Sequence, residues 1–353
     1  MAAISFARGA PAPECLPVSE LADCARAAIE RDGTTILSYG PSSGYGPLRE
    51  WIAARHGVAT SRVFLTNGSL QGFVFLAQRL APGKRVLVER PTYDRPLKIL
   101  RELGADVVGL SCDDEGLDPD ALEQALREGE PPAFLYVIPT FQNPSGRTLS
   151  VERRRRIVEL AREHELLVLE DDPYGLVRFE GEALPSLFEL SGGEITYSSS
   201  FSKTIAPGLR VGWFVFPEAL ARQIEAAATS TYITPVLLGQ ATVHEFVSRG
   251  NFEPNLERIK GLLGARRDAM LTALGRDLPG VRATRPDGGY FLWLELGGID
   301  AASLLARAED AGVTFVKGTD FDGAPDTARL AYSFASVDEI ADGVARLAAA
   351  LPG

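Results

Sequence analysis

Over roughly the first two-thirds of the chain, apolar residues come in short unbroken runs rather than in alternation. Such runs occupy 63–66, 85–88, 107–110, 134–137, 166–169, 195–198 and 211–215. Between most of them apolar residues recur at helical spacing, over 70–80, 95–103, 119–127 and 151–163. A continuous apolar run suits a strand buried on both faces. Strands alternating with helices imply a mostly parallel sheet covered by helices on both sides. The pattern therefore predicts an α/β fold, with a three-layer large domain at 39–240 built on a mostly parallel seven-stranded sheet.

Beyond residue 240 the pattern changes. A helix is predicted from about 254 to 274, then a strand pair at 281–283 and 290–296 around Pro286-Asp287-Gly288-Gly289. A helix at 301–311, short strands near 313–316 and 328–333, and a final helix to about 350 complete the chain. This mixture reads as a smaller α+β domain made of 241–353 and 1–38. In the N-terminal part, Ser19 is a plausible cap for a helix to about Arg31, with Gly33 as its stop.

Composition narrows the function. A chain of 353 residues with net charge −11 offers no basic surface for nucleic acid. Three cysteines, Cys15, Cys24 and Cys112, form no CxxC pair, and an odd count suits a reducing compartment. His56, His164 and His244 lack metal-ligand spacing, so no metal site is expected. No apolar run reaches the roughly 20 residues that span a bilayer. The N-terminus lacks a signal-peptide core. A cytoplasmic protein is expected.

In an open α/β sheet, ligands bind beyond the carboxyl ends of the strands. There the sequence places Asn67-Gly68-Ser69-Leu70, Tyr93, Asn143, Glu170-Asp171-Asp172-Pro173-Tyr174, and Ser198-Ser199-Ser200-Phe201-Ser202-Lys203 followed by Arg210. Each has an ordinary structural alternative: a capped helix start, a rim tyrosine, an Asn-Pro turn, a solvated lysine. Together they form a constellation. A helix start binds phosphate. An aromatic ring stacks on a flat ligand. A carboxylate meets a protonated ring nitrogen. A lysine amine attacks a carbonyl.

The chain resembles the class I/II aminotransferases of fold type I, which use pyridoxal 5′-phosphate. It looks nearest the branch of 2-aminoadipate and kynurenine-type aminotransferases and the effector domains of MocR-type regulators. The motifs that carry the likeness are Tyr39-Gly40-Pro41, Phe141-Gln142-Asn143-Pro144-Ser145-Gly146, Glu170-Asp171-Asp172-Pro173-Tyr174, Ser200-Phe201-Ser202-Lys203 and Pro207-Gly208-Leu209-Arg210. The resemblance implies an aspartate-aminotransferase-like fold and transfer of an amino group from an L-amino acid to a 2-oxo acid, with 2-oxoglutarate as acceptor. It implies that Lys203 forms a Schiff base with the cofactor and shuttles the proton. Asp171 would pair with the ring nitrogen, and Asn143 and Tyr174 with the ring's phenolic oxygen. Tyr93 would stack on the ring, while Gly68, Ser69, Leu70, Ser200, Ser202 and Arg210 would hold the phosphate. Tyr39 would reach the partner subunit's phosphate, making a homodimer with shared sites. Arg329 would grip the substrate carboxylate.

Three departures from the family pattern bear on substrate. The chain begins almost at Phe6-Ala7-Arg8-Gly9, without the usual N-terminal cover. Arg8 stands where the family commonly has glycine, so its side chain would meet a distal acid or narrow the pocket, while Gly9 lies beside the carboxylate. The segment 315–323 is short. The same cofactor also supports lyase, decarboxylase or oxidase chemistry, and a non-enzymatic ligand-sensing role is a further alternative.

Overall fold

The computed structural model describes residues 3–351. The apolar runs become β1 (Val63–Thr66), β2 (Arg85–Arg90), β3 (Asp106–Asp113), β5 (Phe134–Val137), β6 (Val168–Asp171), β7 (Thr196–Ser200) and β8 (Gly212–Val215). A two-residue strand unforeseen in the sequence, β4 (Gly116–Leu117), adds an eighth to the edge. The order is β1-β8-β7-β6-β5-β2-β3-β4. Neighbours from β7 through β3 run parallel, and β8 is antiparallel to both β1 and β7. Every residue of β1, β5, β7 and β8 is buried, as continuous apolar runs lead one to expect for β1, β5 and β8, while β7 is buried although Thr196 and Ser198 to Ser200 are polar.

Helices cover both faces. Helix Ser69–Leu80 turns Phe73 and Leu76 into one core with Val86, Phe134 and Phe214. Helix Val151–Glu163 packs Ile157 and Leu160 on the opposite face with Leu135 and Val168. Full burial of such a side chain is worth about 1.5–3 kcal/mol. Gly212 lets β8 approach the start of helix Ser69–Leu80: a Cβ there would lie 2.2 Å from the Ser69 amide nitrogen. This brings the helix N-terminus down onto the carboxyl edge of the sheet.

The second sheet has four strands, β9 (Arg282–Ala283), β10 (Phe291–Glu295), β11 (Val316–Lys317) and β12 (Thr327–Ala331), in the order β9-β10-β12-β11, all antiparallel. Ile4–Ser5 pairs in parallel with Val313–Thr314, so the N-terminal segment lies beside this sheet. Phe6 packs into the core of this sheet with Phe291, Leu330 and Val344.

Several local expectations change. The first helix runs Val18–Ile36, with Pro17 rather than Ser19 at its N-cap position, and is kinked at Asp32 instead of stopping at Gly33. Its Cys24, Ala28 and Ile36 share a core with Leu65, Trp213, Val243 and Phe246, on the side of the large sheet. Helix Glu218–Tyr232 is also new. The single strand expected near 313–316 is two short ones that serve different sheets.

Candidate active site

The carboxyl ends of β1, β2, β5, β6 and β7 open into a cleft of about 570 Å³. Gly9, Gly68, Ser69, Leu70, Tyr93, Asn143, Tyr174, Ser200, Ser202, Lys203, Arg210 and Arg329 all line it, together with Phe291 and Phe321. Three residues singled out in the sequence lie elsewhere. Asp171 lines a small void just behind, with Ser69, Leu70 and Ser198. Tyr39 is 81% exposed and lies outside the cleft of its own protomer. Arg8 is exposed and stacks its guanidinium on Phe334, 4.2 Å from the ring centre, so its side chain forms no part of the cleft wall.

Lys203 follows β7 and points its amine at the Gly9 carbonyl, donating a 2.6 Å hydrogen bond. Its backbone carbonyl accepts from the Tyr290 hydroxyl at 2.8 Å. Burial pushes the amine down to about 8, and the cationic Arg329 and Arg210 add to this, with Asp171 opposing. A lysine in such a state is partly neutral near pH 8 and nucleophilic.

The acidic run after β6 divides among different partners. Glu170 accepts from the Leu187 and Phe188 amides at 3.1 and 2.8 Å. Asp172 accepts from the Gly175 amide at 2.7 Å and the Tyr197 hydroxyl at 3.1 Å. Asp171 accepts from the Tyr136 hydroxyl at 2.8 Å through Oδ2, while its buried Oδ1 has no partner. Burial raises the Asp171 carboxyl to about 6. An unpartnered buried carboxylate oxygen is costly unless a donor meets it.

Opposite, the turn after β1 makes an anion cradle. Gly68 has φ +88°, and a Cβ there would fall 2.2 Å from an Arg210 guanidinium nitrogen. Helix Ser69–Leu80 starts at this point, directing its free N–H groups and positive dipole end into the cleft. The Ser200 hydroxyl donates to Ser202 Oγ at 2.8 Å, and Ser200 Oγ accepts from the Ser202 amide at 3.0 Å. Arg210 reaches over Gly68 to the Asn67 carbonyl at 3.3 Å.

Arg329, on β12, is 7% exposed. It donates to Asn143 Oδ1 and to the Ala7 carbonyl, each at 2.8 Å, and lies between Phe291 and Phe321 at 4.3 and 4.7 Å. Burial lowers it to about 10, where it stays charged at neutral pH. Phe291, Tyr136 and Tyr290 are site residues that sequence reasoning missed. The signal for Tyr136 was a polar-tipped residue inside a buried strand beside one that ends in acid.

The residues fit pyridoxal 5′-phosphate by two independent marks: the unpartnered Asp171 Oδ1 suits a protonated ring nitrogen, and the cradle over Gly68 suits a phosphate. Comparisons agree. The family model for aminotransferase class I and II matches residues 14–347. A 2-aminoadipate transaminase of Thermus thermophilus is 40% identical, over 99% of this chain and 90% of its own length. Aromatic-amino-acid aminotransferase 1 of Thermococcus litoralis is 35% identical, over 98% of this chain and 87% of its own. Among solved structures, LysN, an alpha-aminoadipate aminotransferase of Thermus thermophilus complexed with N-(5′-phosphopyridoxyl)-L-leucine, superposes with TM-score 0.94 at 38% identity, covering 99% of this chain and 92% of its own. From motif to cleft to relatives the same conclusion holds: the chain belongs to the class I and II aminotransferases and is a pyridoxal phosphate-dependent aminotransferase.

Proposed function

We propose that the enzyme moves an amino group from an L-amino acid to a 2-oxo acid, with 2-oxoglutarate as acceptor, and that Lys203 is its covalent and proton-carrying residue. The observation that carries this reading is the sharing of one cleft by a half-buried Lys203 amine and a buried Arg329. When bound, pyridoxal 5′-phosphate supplies an aldehyde carbon that bonds to amines and a ring that takes up the electron pair released at the substrate Cα.

The chain's own residues do the rest. Arg329 takes the substrate carboxylate with its planar fork, helped by Asn143. Tyr93 and Tyr174 would border the ring, and Asn143 and Tyr174 would donate to its phenolic oxygen. Lys203, held near pH 8 by burial, can both accept and return a proton at Cα. Ser200, Ser202, Arg210 and the Gly68–Leu70 backbone hold the phosphate. Gly9 lies beside the substrate carboxylate. The exposed Tyr39 supports a homodimer in which it completes the partner's phosphate site.

We infer a donor of the kind named for the relatives, 2-aminoadipate or an aromatic amino acid. Phe291, Phe321 and Tyr93 in the cleft wall favour the aromatic one. The unpaired thiols of Cys15, Cys24 and Cys112 suit the cytoplasm, and no helix among the described residues is long and apolar enough to cross a membrane. The same reading takes 39–240 as the cofactor domain and 241–353 with 1–38 as the small domain. The packing of Cys24, Ala28 and Phe246 against the large-sheet side argues for moving helix Val18–Ile36 and the residues around Phe246 to the cofactor domain.

The test is a donor panel with 2-oxoglutarate, run on the wild type, Lys203→Ala and Arg8→Ala. Transamination requires glutamate to form in step with the donor's oxo acid, and Lys203→Ala should abolish it. Ammonia release with no acceptor consumed would instead establish lyase or oxidase chemistry. Equal activity of Arg8→Ala toward acidic and aromatic donors would remove Arg8 from substrate choice.

A further inference from the structure

Tyr136 sits on β5, where the register sets it beside Leu169 of β6, two residues before Asp171. It is 1% exposed. Phe73 meets its ring edge-on with centroids 5.3 Å apart. Its hydroxyl donates to Asp171 Oδ2 at 2.8 Å. On the other side, β7 places Ser198 beside Asp171. The protein thus occupies one carboxylate oxygen and leaves the buried Oδ1 without a partner.

Four polar groups face this carboxyl: Tyr136 from β5, Asp172 from its own strand, Ser198 from β7 and Lys203 from the segment after β7. Burial and Asp172 favour the neutral acid, whereas Tyr136, Ser198 and Lys203 favour the carboxylate. Among the donors Tyr136 has the greatest effect. A hydrogen bond to an ionised oxygen is stronger than one to its neutral form.

We propose that Tyr136 is a positioning residue: by donating to Oδ2 it keeps Asp171 ionised, with Oδ1 left to meet the cofactor's ring nitrogen, so that the proton the two share rests on nitrogen. This rests on the reading of Asp171 as the ring-nitrogen partner. The step is a proton transfer from Oδ1 to nitrogen. It turns a neutral pair into an ion pair and needs no other reactant. Without the phenol the carboxylate loses its main donor and the proton drifts back toward oxygen. The ring then takes up electrons less readily.

The test uses holoenzyme loaded with ring-¹⁵N pyridoxal 5′-phosphate and reads the nitrogen chemical shift from pH 6 to 9. In the wild type the nitrogen should be pyridinium-like. Tyr136→Phe, which keeps the ring and its packing, should move the shift toward neutral pyridine, by about tenfold in the balance between the two proton positions, as expected for one hydrogen bond to a charged group. Asp171→Asn should give neutral pyridine outright. Replacing Tyr136 with 3-fluorotyrosine, a stronger donor, should move the shift the opposite way, and it serves if the Phe variant fails to fold. If Asp171→Asn moves the shift and neither Tyr136 variant does, Tyr136 only fills space and the proposal is overturned. If Asp171→Asn also leaves the shift unchanged, the underlying assignment of Asp171 fails.

Discussion

Arg329 of the small sheet donates to the side-chain carbonyl of Asn143 beyond the large sheet, at 2.8 Å. The bond joins the proposed carboxylate-binding residue to a residue proposed for the cofactor ring, so substrate and cofactor would share one polar contact. Arg329→Lys keeps the charge and loses the fork. Removing one charge-assisted hydrogen bond of about 1.5–3 kcal/mol should lower kcat/KM by roughly ten- to a hundredfold. Cofactor affinity should stay unchanged if Arg329 holds the substrate as proposed. Measuring both separates the roles, and a parallel loss of cofactor would assign Arg329 to the wrong partner.

Gly68 and Arg210 set a second expectation. Gly68 has φ +88° and no space for a methyl group, since a Cβ there would fall 2.2 Å from the Arg210 guanidinium. Gly68→Ala must strain the backbone, by about 1–3 kcal/mol, or expel Arg210. Pyridoxal 5′-phosphate should bind about a hundredfold more weakly, while pyridoxal without its phosphate should bind much as before. A variant that weakened both equally would show general disruption rather than loss of a phosphate cradle.

Most of the large sheet was legible because its strands are buried on both faces, and burial alone writes an unbroken apolar run. The site was legible for a related reason: Asp171, Ser200 and Lys203 sit at or just after strand ends, where the fold puts ligands. Other features left little trace. Helix Glu218–Tyr232 turns only a narrow stripe inward, Leu220, Ala221, Ile224 and Ala228, and its last turns mix alanines with Thr229, Ser230 and Thr231, so its period is faint. Gly116–Leu117 is too short to show a period, and its pairing depends on the long β3 beside it. The separate backbone and tyrosine partners of Glu170 and Asp172 left no trace in the run 170–172, although the alternation of a strand sends neighbours to opposite faces. Arg8 looked like a substrate contact from its place in the motif, but Phe334, far away in sequence, stacks on its guanidinium.

Glu89 gives the protein a pH dependence independent of catalysis. It is 1% exposed and accepts from the Ile138 amide at 2.8 Å. Burial pushes its carboxyl up to about 8, with the Ile138 amide and Gln142 opposing. An unfolded glutamate titrates near 4.3. Between these values the folded state binds more protons than the unfolded state, so stability falls as pH rises. The contribution is full below about pH 4 and is lost as pH passes 8. Glu89→Gln removes this titration. Its Tm relative to the wild type should therefore rise steadily from pH 5 to pH 8. Parallel Tm profiles would mean that Glu89 is ionised throughout.

A ring of four alternating charges ties the two sheets together. Arg147 Nη2 meets Asp114 at 2.9 Å and Glu295 at 3.5 Å, and Arg282 meets Glu295 at 3.2 Å and closes on Asp114. Asp114 and Arg147 flank the large sheet, while Arg282 and Glu295 belong to β9 and β10. The members differ in burial: the Arg147 side chain is 11% exposed and that of Arg282 61%. Exposed ion pairs contribute about 0–1 kcal/mol and are screened by salt. Arg282→Met should therefore change stability by under about 1 kcal/mol. Arg147→Met should cost more, about 1–3 kcal/mol, because Arg147 touches both acids from a site that water hardly reaches. β10 also pairs with the strand of Arg329, placing Trp293 opposite it, and Arg147 follows the loop of Asn143. Loosening the ring should therefore raise KM for the amino donor severalfold at unchanged cofactor affinity, and 1 M salt should reproduce part of that rise in the wild type. Equal stabilities for the two variants, with KM indifferent to both, would reduce the ring to surface decoration.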